Sequence, residues 1–295
     1  MKKQSRNMQI IANLIMALAA IFTVLPFILL VIASFTDNNV IALEGYSFFP
    51  SKLSLDAYAY IWTERMQIFR AYFITCIVTL IGTTIALCMT MAYAYVLSKP
   101  AFPGKKFLTV FLLLTMLSNG GLVPTYTMYT RYFHIKNTLL ALIVPALLMQ
   151  AMNVILVRSY IQNNIPLSLT EAAYIDGASE YRIFTTLIFP LSKPIVVTIG
   201  MFIGVAYWND WTNGLYYITD SNLFSIQQLL NNMLKNIEFL STGSAAAAAS
   251  TTAGNIPQST VRMAIAVVGI LPILVIYPYV QKYFVKGIAL GAVKG

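Results

Sequence analysis

Apolar residues in this chain gather into long runs without a single charge, separated by short polar clusters. The charge-free runs cover residues 7–36, 71–98, 107–130, 137–157, 194–209 and 263–281. Most of them reach the roughly 20 residues that a helix needs to cross a hydrocarbon layer of about 30 Å. The pattern predicts an all-α polytopic membrane protein with six transmembrane helices, at about residues 10–35, 71–97, 107–129, 138–158, 194–215 and 261–281. Together they form a single transmembrane domain over residues 10–285, between a short segment 1–9 and a tail 286–295. Loops 36–70, 130–137 and 216–260 then fall on one side of the bilayer and loop 161–193 on the other.

Loop 161–193 is polar and carries its own folding signals. Ser168 and Glu171 stand in capping-box spacing, which satisfies free N–H groups at a helix start, with Pro166 just upstream. Gly177 supplies the left-handed residue that ends such a helix. A second helix is expected from Ser179, because Phe184, Leu187, Ile188 and Leu191 recur at helical spacing and Pro190 and Pro194 punctuate its far end. Ala172 and Ala173 leave one face of the first helix small enough to approach another surface closely. Such a helix either docks on a partner or lies, partnerless, on the membrane surface.

Here the residues carry a resemblance. Glu171-Ala172-Ala173-Tyr174, Asp176-Gly177-Ala178, Phe184, Pro190-Leu191 and Pro194 resemble the signature cytoplasmic loop of binding-protein-dependent ABC importer membrane subunits. Within that group the chain is similar to carbohydrate permeases of the maltose-transporter type. The resemblance implies a type I ABC importer permease fold in which the helix from Glu171 to Gly177 is a coupling helix seated on a separate ATPase, with Pro190 and Pro194 completing the signature. It further implies four kinds of partner: a second, homologous permease, two ATP-binding subunits, an extracytoplasmic sugar-binding protein, and the lipid of a bacterial cytoplasmic membrane. The cargo it implies is a carbohydrate, expected to be an oligosaccharide.

Composition agrees with the membrane reading. The chain is 58% hydrophobic and 10% charged, with a mean hydropathy of +0.73, against the usual quarter charged of a soluble domain. Under six crossings, twelve basic and three acidic residues fall on the side of the termini, and seven of each on the other. The positive-inside rule therefore puts both termini and loop 161–193 in the cytoplasm. The net charge of +9 is then topology, and nothing marks a nucleic-acid partner. Cys76 and Cys88 lie twelve residues apart in one span. About 18 Å of helix separates them, too far for a disulfide, and they read as small packing residues.

The fifth run ends in Tyr207-Trp208-Asn209-Asp210-Trp211-Thr212-Asn213. An acid at membrane depth marks a functional site by default, and aromatic faces beside amides and a carboxylate suit a sugar. One reading makes Tyr207, Trp208, Asn209, Asp210, Trp211 and Asn213 the lining of a translocation pathway; the other makes them an aromatic belt at a helix end. Residues Asn119-Gly120-Gly121-Leu122-Val123-Pro124 should break the third helix, and irregular backbone at that depth must face protein or a wet cavity. His134, the only histidine, reads as surface. The Ala/Ser/Thr/Gly-rich stretch 236–260 reads as a flexible loop.

The chain contains no phosphate-binding G-x-x-x-x-G-K-[ST] loop, metal cluster or nucleophile triad, so no cofactor is expected, no catalysis is assigned to it, and its energy must come from a partner. An ion-coupled secondary transporter with Asp210 as its ion site is the alternative. It lacks a second buried ionisable partner and an inverted repeat.

Overall fold

A charge-free apolar run has no reason to break its backbone hydrogen bonds, and where Pro and Gly are sparse the chain keeps to one long helix. The computed structural model describes residues 2–242 and 258–292, and among these the architecture is helical, with a single isolated β-bridge between Thr36 and Leu53. Helices α1 (Lys2–Ser34) and α4 (Arg65–Ser98) run without a break, and among the described residues they are the two single helices long and apolar enough to cross a membrane. Between them lie α2 (Asn38–Glu44) and α3 (Asp56–Thr63). Then come α5 (Lys105–Leu117), α6 (Leu122–Thr127), α7 (Leu140–Ile143), α8 (Ala151–Asn164), α9 (Leu167–Ile175) and α10 (Glu180–Ile183). The chain continues with α11 (Phe189–Leu191), α12 (Lys193–Trp208), α13 (Thr212–Tyr217), α14 (Ile226–Thr242) and α15 (Gln258–Ala292).

The expected third, fourth and fifth spans are not continuous helices, and each break has a local cause. The third bends by 113° between α5 and Leu122–Tyr132. Gly121 takes a φ of +81° there, with its N–H held by the Asn119 side chain at 2.9 Å. The fourth stops after α7 because Pro145 has no N–H and disfavours helix at Val144; Ala146 then takes a φ of +62° before the chain restarts at α8. The fifth ends as a helix at Trp208, and α13 follows Asn209–Trp211. Upstream, the helical stretch Glu180–Leu191 meets α12 at 83°, with Pro194 in the first turn of α12, where no backbone donor is needed. Counting each bent pair as one span gives up to four crossings by length and composition, and Ser259–Val275 is a shorter apolar helix.

The chain divides into two compact units. In the first (residues 1–67 and 230–274), Lys52 pairs with Asp37 at 2.6 Å, an interaction that pulls the Asp37 carboxyl below its ordinary range. The Tyr58 ring stacks on Phe35 and its hydroxyl meets Ser34 at 2.8 Å, so α3 is held against the end of α1. The Ser54 hydroxyl accepts the Asp56 N–H at the start of α3.

In the second unit (residues 68–229 and 275–295) the core gathers Val78, Ala86, Met91, Val154, Val157, Ile199 and Ile203 from α4, α8 and α12. Close approach of α4 to α12 rests on small residues. A Cβ on Gly82 would sit 2.6–2.8 Å from the Tyr207 ring, one on Gly200 3.3 Å from Leu87, and one on Gly204 3.5 Å from the Thr83 hydroxyl. Gly200 and Gly204 form the small-xxx-small pattern that lets membrane helices approach closely. Cys76 and Cys88 stand off this seam; both are free and exposed, not the packing residues expected. Replacing Gly82 by Val should drive side-chain atoms into the Tyr207 ring, at a cost of about 1–3 kcal/mol for overpacking. The measurement is thermal unfolding of the purified protein in detergent, where Gly82→Val melts below wild type and Gly82→Ala lies between.

Candidate functional site

Two groups of residues singled out in the sequence fall in the second unit. The first is α9. Its N-cap is Pro166, not the expected Ser168 box, and no side chain caps that end. Pro166, at φ −60° and ψ 133°, has no N–H to satisfy and its carbonyl already accepts the Leu169 N–H at 3.2 Å, so the helix starts two residues before Ser168 could have begun it. The other end is as expected: Gly177 has a φ of +75°, its N–H bonds to the Tyr174 carbonyl at 3.0 Å, and the Ala178 N–H reaches back to Ala173 at 2.9 Å. That pair of bonds is the Schellman termination. Ser179 then starts α10, accepting the Arg182 N–H.

None of the nine residues of α9 is buried. One face, Leu167, Thr170, Glu171 and Tyr174, looks into a cleft of about 650 Å³ whose far wall is the Pro-rich segment Ser98–Pro103. The other face carries Leu169, Ala172 and Ile175, with Ile175 86% exposed. Only Ala173 packs partly against the core. A short helix this apolar is thus left open along one face. Asp176 and Gly177 are exposed at its end, Pro190 is exposed in α11 after a π-helical turn Phe184–Ile188, and Pro194 is half-buried.

Glu180 closes the cleft. It forms a salt bridge with Lys99, accepts from Tyr174, and accepts the Tyr95 hydroxyl at 2.8 Å. The Lys99 ammonium also donates to the Tyr174 hydroxyl at 3.2 Å and sits 4.6 Å from the centre of the Tyr95 ring. Burial pushes the Glu180 carboxyl up, but the bonds from Lys99, Tyr174 and Tyr95 together outweigh it and leave the pKa below its ordinary 4.5. For Lys99 burial pushes the ammonium down, and Glu180 and Tyr174 outweigh it, leaving the pKa above its ordinary 10.5. The carboxylate's contribution is therefore in place above about pH 4.5 and fades as pH falls through the lowered value; the ammonium's holds below about pH 10.5 and fades as pH rises beyond it.

The second group is the run from Tyr207 to Asn213, which the structure divides. Tyr207, Trp208 and Asn213 are buried, whereas Asn209 and Trp211 are exposed. The Tyr207 hydroxyl donates to the Ile143 carbonyl at 2.8 Å, and the Asn213 amide donates to the Pro145 carbonyl at 3.0 Å. Both carbonyls lie at the Pro145 break; Ile143 receives its donor from Tyr207, while Pro145 accepts the Leu147 N–H at 2.8 Å and Asn213 as a second donor, so both side chains brace the interrupted fourth segment. Sequence reasoning missed this role; the signal was Pro145 itself, inside a span that would need such donors. Asp210 accepts the N–H groups of Thr212 and Asn213 at 3.1 and 3.2 Å and so starts α13. Its carboxylate has local structural work, and nothing favours the ion-coupled alternative.

Comparison with known proteins gives this geometry its context. The chain is 35% identical over 296 residues, covering both chains completely, to the polygalacturonan/rhamnogalacturonan transport system permease protein YtcP of Bacillus subtilis. It is 33% identical over 273 residues to protein LplC of the same organism, covering 92% of this chain and 90% of that one. Among solved structures, a bacterial ABC transporter involved in the import of the acidic polysaccharide alginate matches with a TM-score of 0.78 at 26% identity, covering 95% of this chain and 98% of that chain. No family model matches. A helical chain that matches transport permeases over nearly its whole length is the permease component of an ABC importer. The chain belongs to the family of carbohydrate ABC transporter permeases.

Tyr207→Phe removes the donor to Ile143 in a buried setting, and an orphaned buried carbonyl costs about 1–3 kcal/mol. Thermal unfolding in detergent should show Tyr207→Phe destabilised, with a smaller effect from Asn209→Ala, whose side chain is exposed.

Proposed function

We propose that this permease works in a complex with a second, homologous permease, two ATP-binding subunits and an extracytoplasmic sugar-binding protein, and that α9 is the helix through which the ATPases move it. One observation carries the reading: a nine-residue, largely apolar helix with no buried side chain. Leu169, Ala172 and Ile175 are the face offered to the ATPase cleft, and Gly177 ends the helix without adding bulk. In this reading the segment Glu171–Gly177 acts as a lever, with Pro190 and Pro194 shaping the link to α12. Glu171 and Asp176, with Lys99, Glu180 and Arg182 nearby in sequence or space, support a cytoplasmic position for the loop, since such a charge density is costly in hydrocarbon. The basic excess supports cytoplasmic termini and six crossings of the bacterial cytoplasmic membrane.

On the opposite side Asn209, Asp210 and Trp211 are the residues of the fifth segment proposed to face the cargo. The buried Trp208 indole N–H, which has no acceptor among the described residues, is a donor left over beside them. The cargo is an oligosaccharide. Similarity to a permease named for polygalacturonan and rhamnogalacturonan, and to a transporter of an acidic polysaccharide, supports one containing uronic acids. Of the stretch 236–260 that reads as a flexible loop, residues 236–242 are the helical end of α14 and 258–260 the start of α15, and the remainder lies outside the described residues.

Cells carrying the complete system should take up labelled galacturonate oligomers in preference to neutral arabino- or galacto-oligosaccharides. Ile175→Asp should lower that uptake at least tenfold while the chain still inserts and pairs with its permease partner. Wild-type uptake in Ile175→Asp would remove the docking role, and exclusive uptake of a neutral oligosaccharide would remove the uronate assignment alone.

A further inference from the structure

Gly177 creates a mechanical difficulty. A helix that receives force is useful only if it cannot swivel, yet α9 is joined to α10 through a glycine at φ +75° with open space around it, and no side chain of α9 is buried to hold it. Upstream the restraint is equally slight, because Pro166 caps the helix with no side-chain bond. Beyond the two Schellman bonds at Gly177, the backbone therefore does little to fix the direction of α9.

Glu180 removes that freedom. It lies just beyond the glycine, and it reaches back to Tyr174 on α9 and across to both Lys99 and Tyr95 at the end of α4. Lys99 completes the ring by donating to Tyr174 and by lying over the faces of Tyr95 and, at 5.9 Å, of Tyr174. Three segments meet at one carboxylate: the last turn of α9, the first turn of α10 and the last turn of α4. Tyr95 is itself buried and packs against Phe184, at 5.4 Å between ring centres, so the joint is anchored in the core and not on the surface.

We infer that Glu180 and Lys99 are the positioning residues of power transmission: they lock the Gly177 joint so that displacement of α9 is delivered to α4 as a rigid-body movement. From α4 the movement passes to α12 across the glycine seam at Gly82, Gly200 and Gly204, where the two helices are too closely packed to slip independently. The pair makes no contact with the ATPase in this account; it acts through α9. The inference rests on the docking role proposed for α9. Without the joint, the ATPase would still grip α9 and hydrolyse ATP, but the helix would rotate about Gly177 and the bundle would not follow.

The test uses the full complex in proteoliposomes, with a labelled galacturonate oligomer mixture as the uptake probe and ATP hydrolysis read in the same vesicles. An Ala172→Cys background, cross-linked to a cysteine in the ATPase cleft, reports docking separately. Glu180→Gln and Lys99→Gln should each lower uptake per ATP hydrolysed at least fivefold, with the cross-link kept. The exchanged pair Lys99→Glu with Glu180→Lys should recover at least half of the loss, because it restores the ion pair with its polarity reversed. Lys99→Arg should retain most of the coupling. Unchanged coupling in the single variants overturns the joint, as does an exchanged pair no better than either single. A cross-link missing even with Glu180 and Lys99 intact overturns the docking role, and the joint with it; a cross-link lost only in the single variants overturns the joint alone, by showing that the pair builds the docking helix.

Discussion

Inside a bilayer the backbone has no water to turn to, so every carbonyl released by a broken helix must be met by a donor from the protein itself. That constraint organises the second unit of this permease. Pro145 interrupts the segment between α7 and α8, where Tyr207 supplies the donor to Ile143 and Asn213 joins the Leu147 N–H on the Pro145 carbonyl. Satisfying the break thereby ties α12 and α13 to the end of α7. Tyr207 does double duty, since its ring fills the space that Gly82 leaves on α4. One tyrosine thus joins three segments.

The opposite principle governs α9. There the backbone is satisfied locally, by the Schellman bonds at Gly177, and the side chains are left unburied. A bundle that repairs its internal breaks so thoroughly has no evident reason to leave a nine-residue apolar helix open, unless another molecule covers it. Membership of the carbohydrate ABC importer permeases fits the proposal that a separate ATPase covers that face and that its energy enters mechanically. The charged and aromatic ring around Glu180 then stands where stiffness is most needed, at a glycine joint between the exposed helix and the packed one.

Much of this was legible in the order of residues. The charge-free runs forecast α1, α4 and the break at Gly121, and Gly177 announced a helix end by being the residue that accepts a positive φ at least cost. The start of α9 was misread because Ser168 and Glu171 have capping-box spacing, while Pro166 had already begun the helix. Hydropathy alone made residues 138–158 one continuous helix, because an apolar tally does not register that Pro145 withdraws a donor and disfavours helix before it. The Lys99–Glu180 pair was illegible for a simpler reason: the partners are far apart in sequence, and only the fold of α4 against α10 brings them together. Among the fifth-run candidates, nothing in the residue types distinguished Tyr207 and Asn213, which face inward to carbonyls, from Asn209 and Trp211, which do not.

The account stands or falls on what touches the open face of α9. A photo-reactive residue placed at position 175 in the intact membrane complex measures this directly, by identifying the molecule to which it becomes attached. The account predicts an adduct with the ATP-binding subunit, lost when that subunit is withheld. Attachment to lipid alone, with the ATP-binding subunit present and hydrolysing, would contradict it.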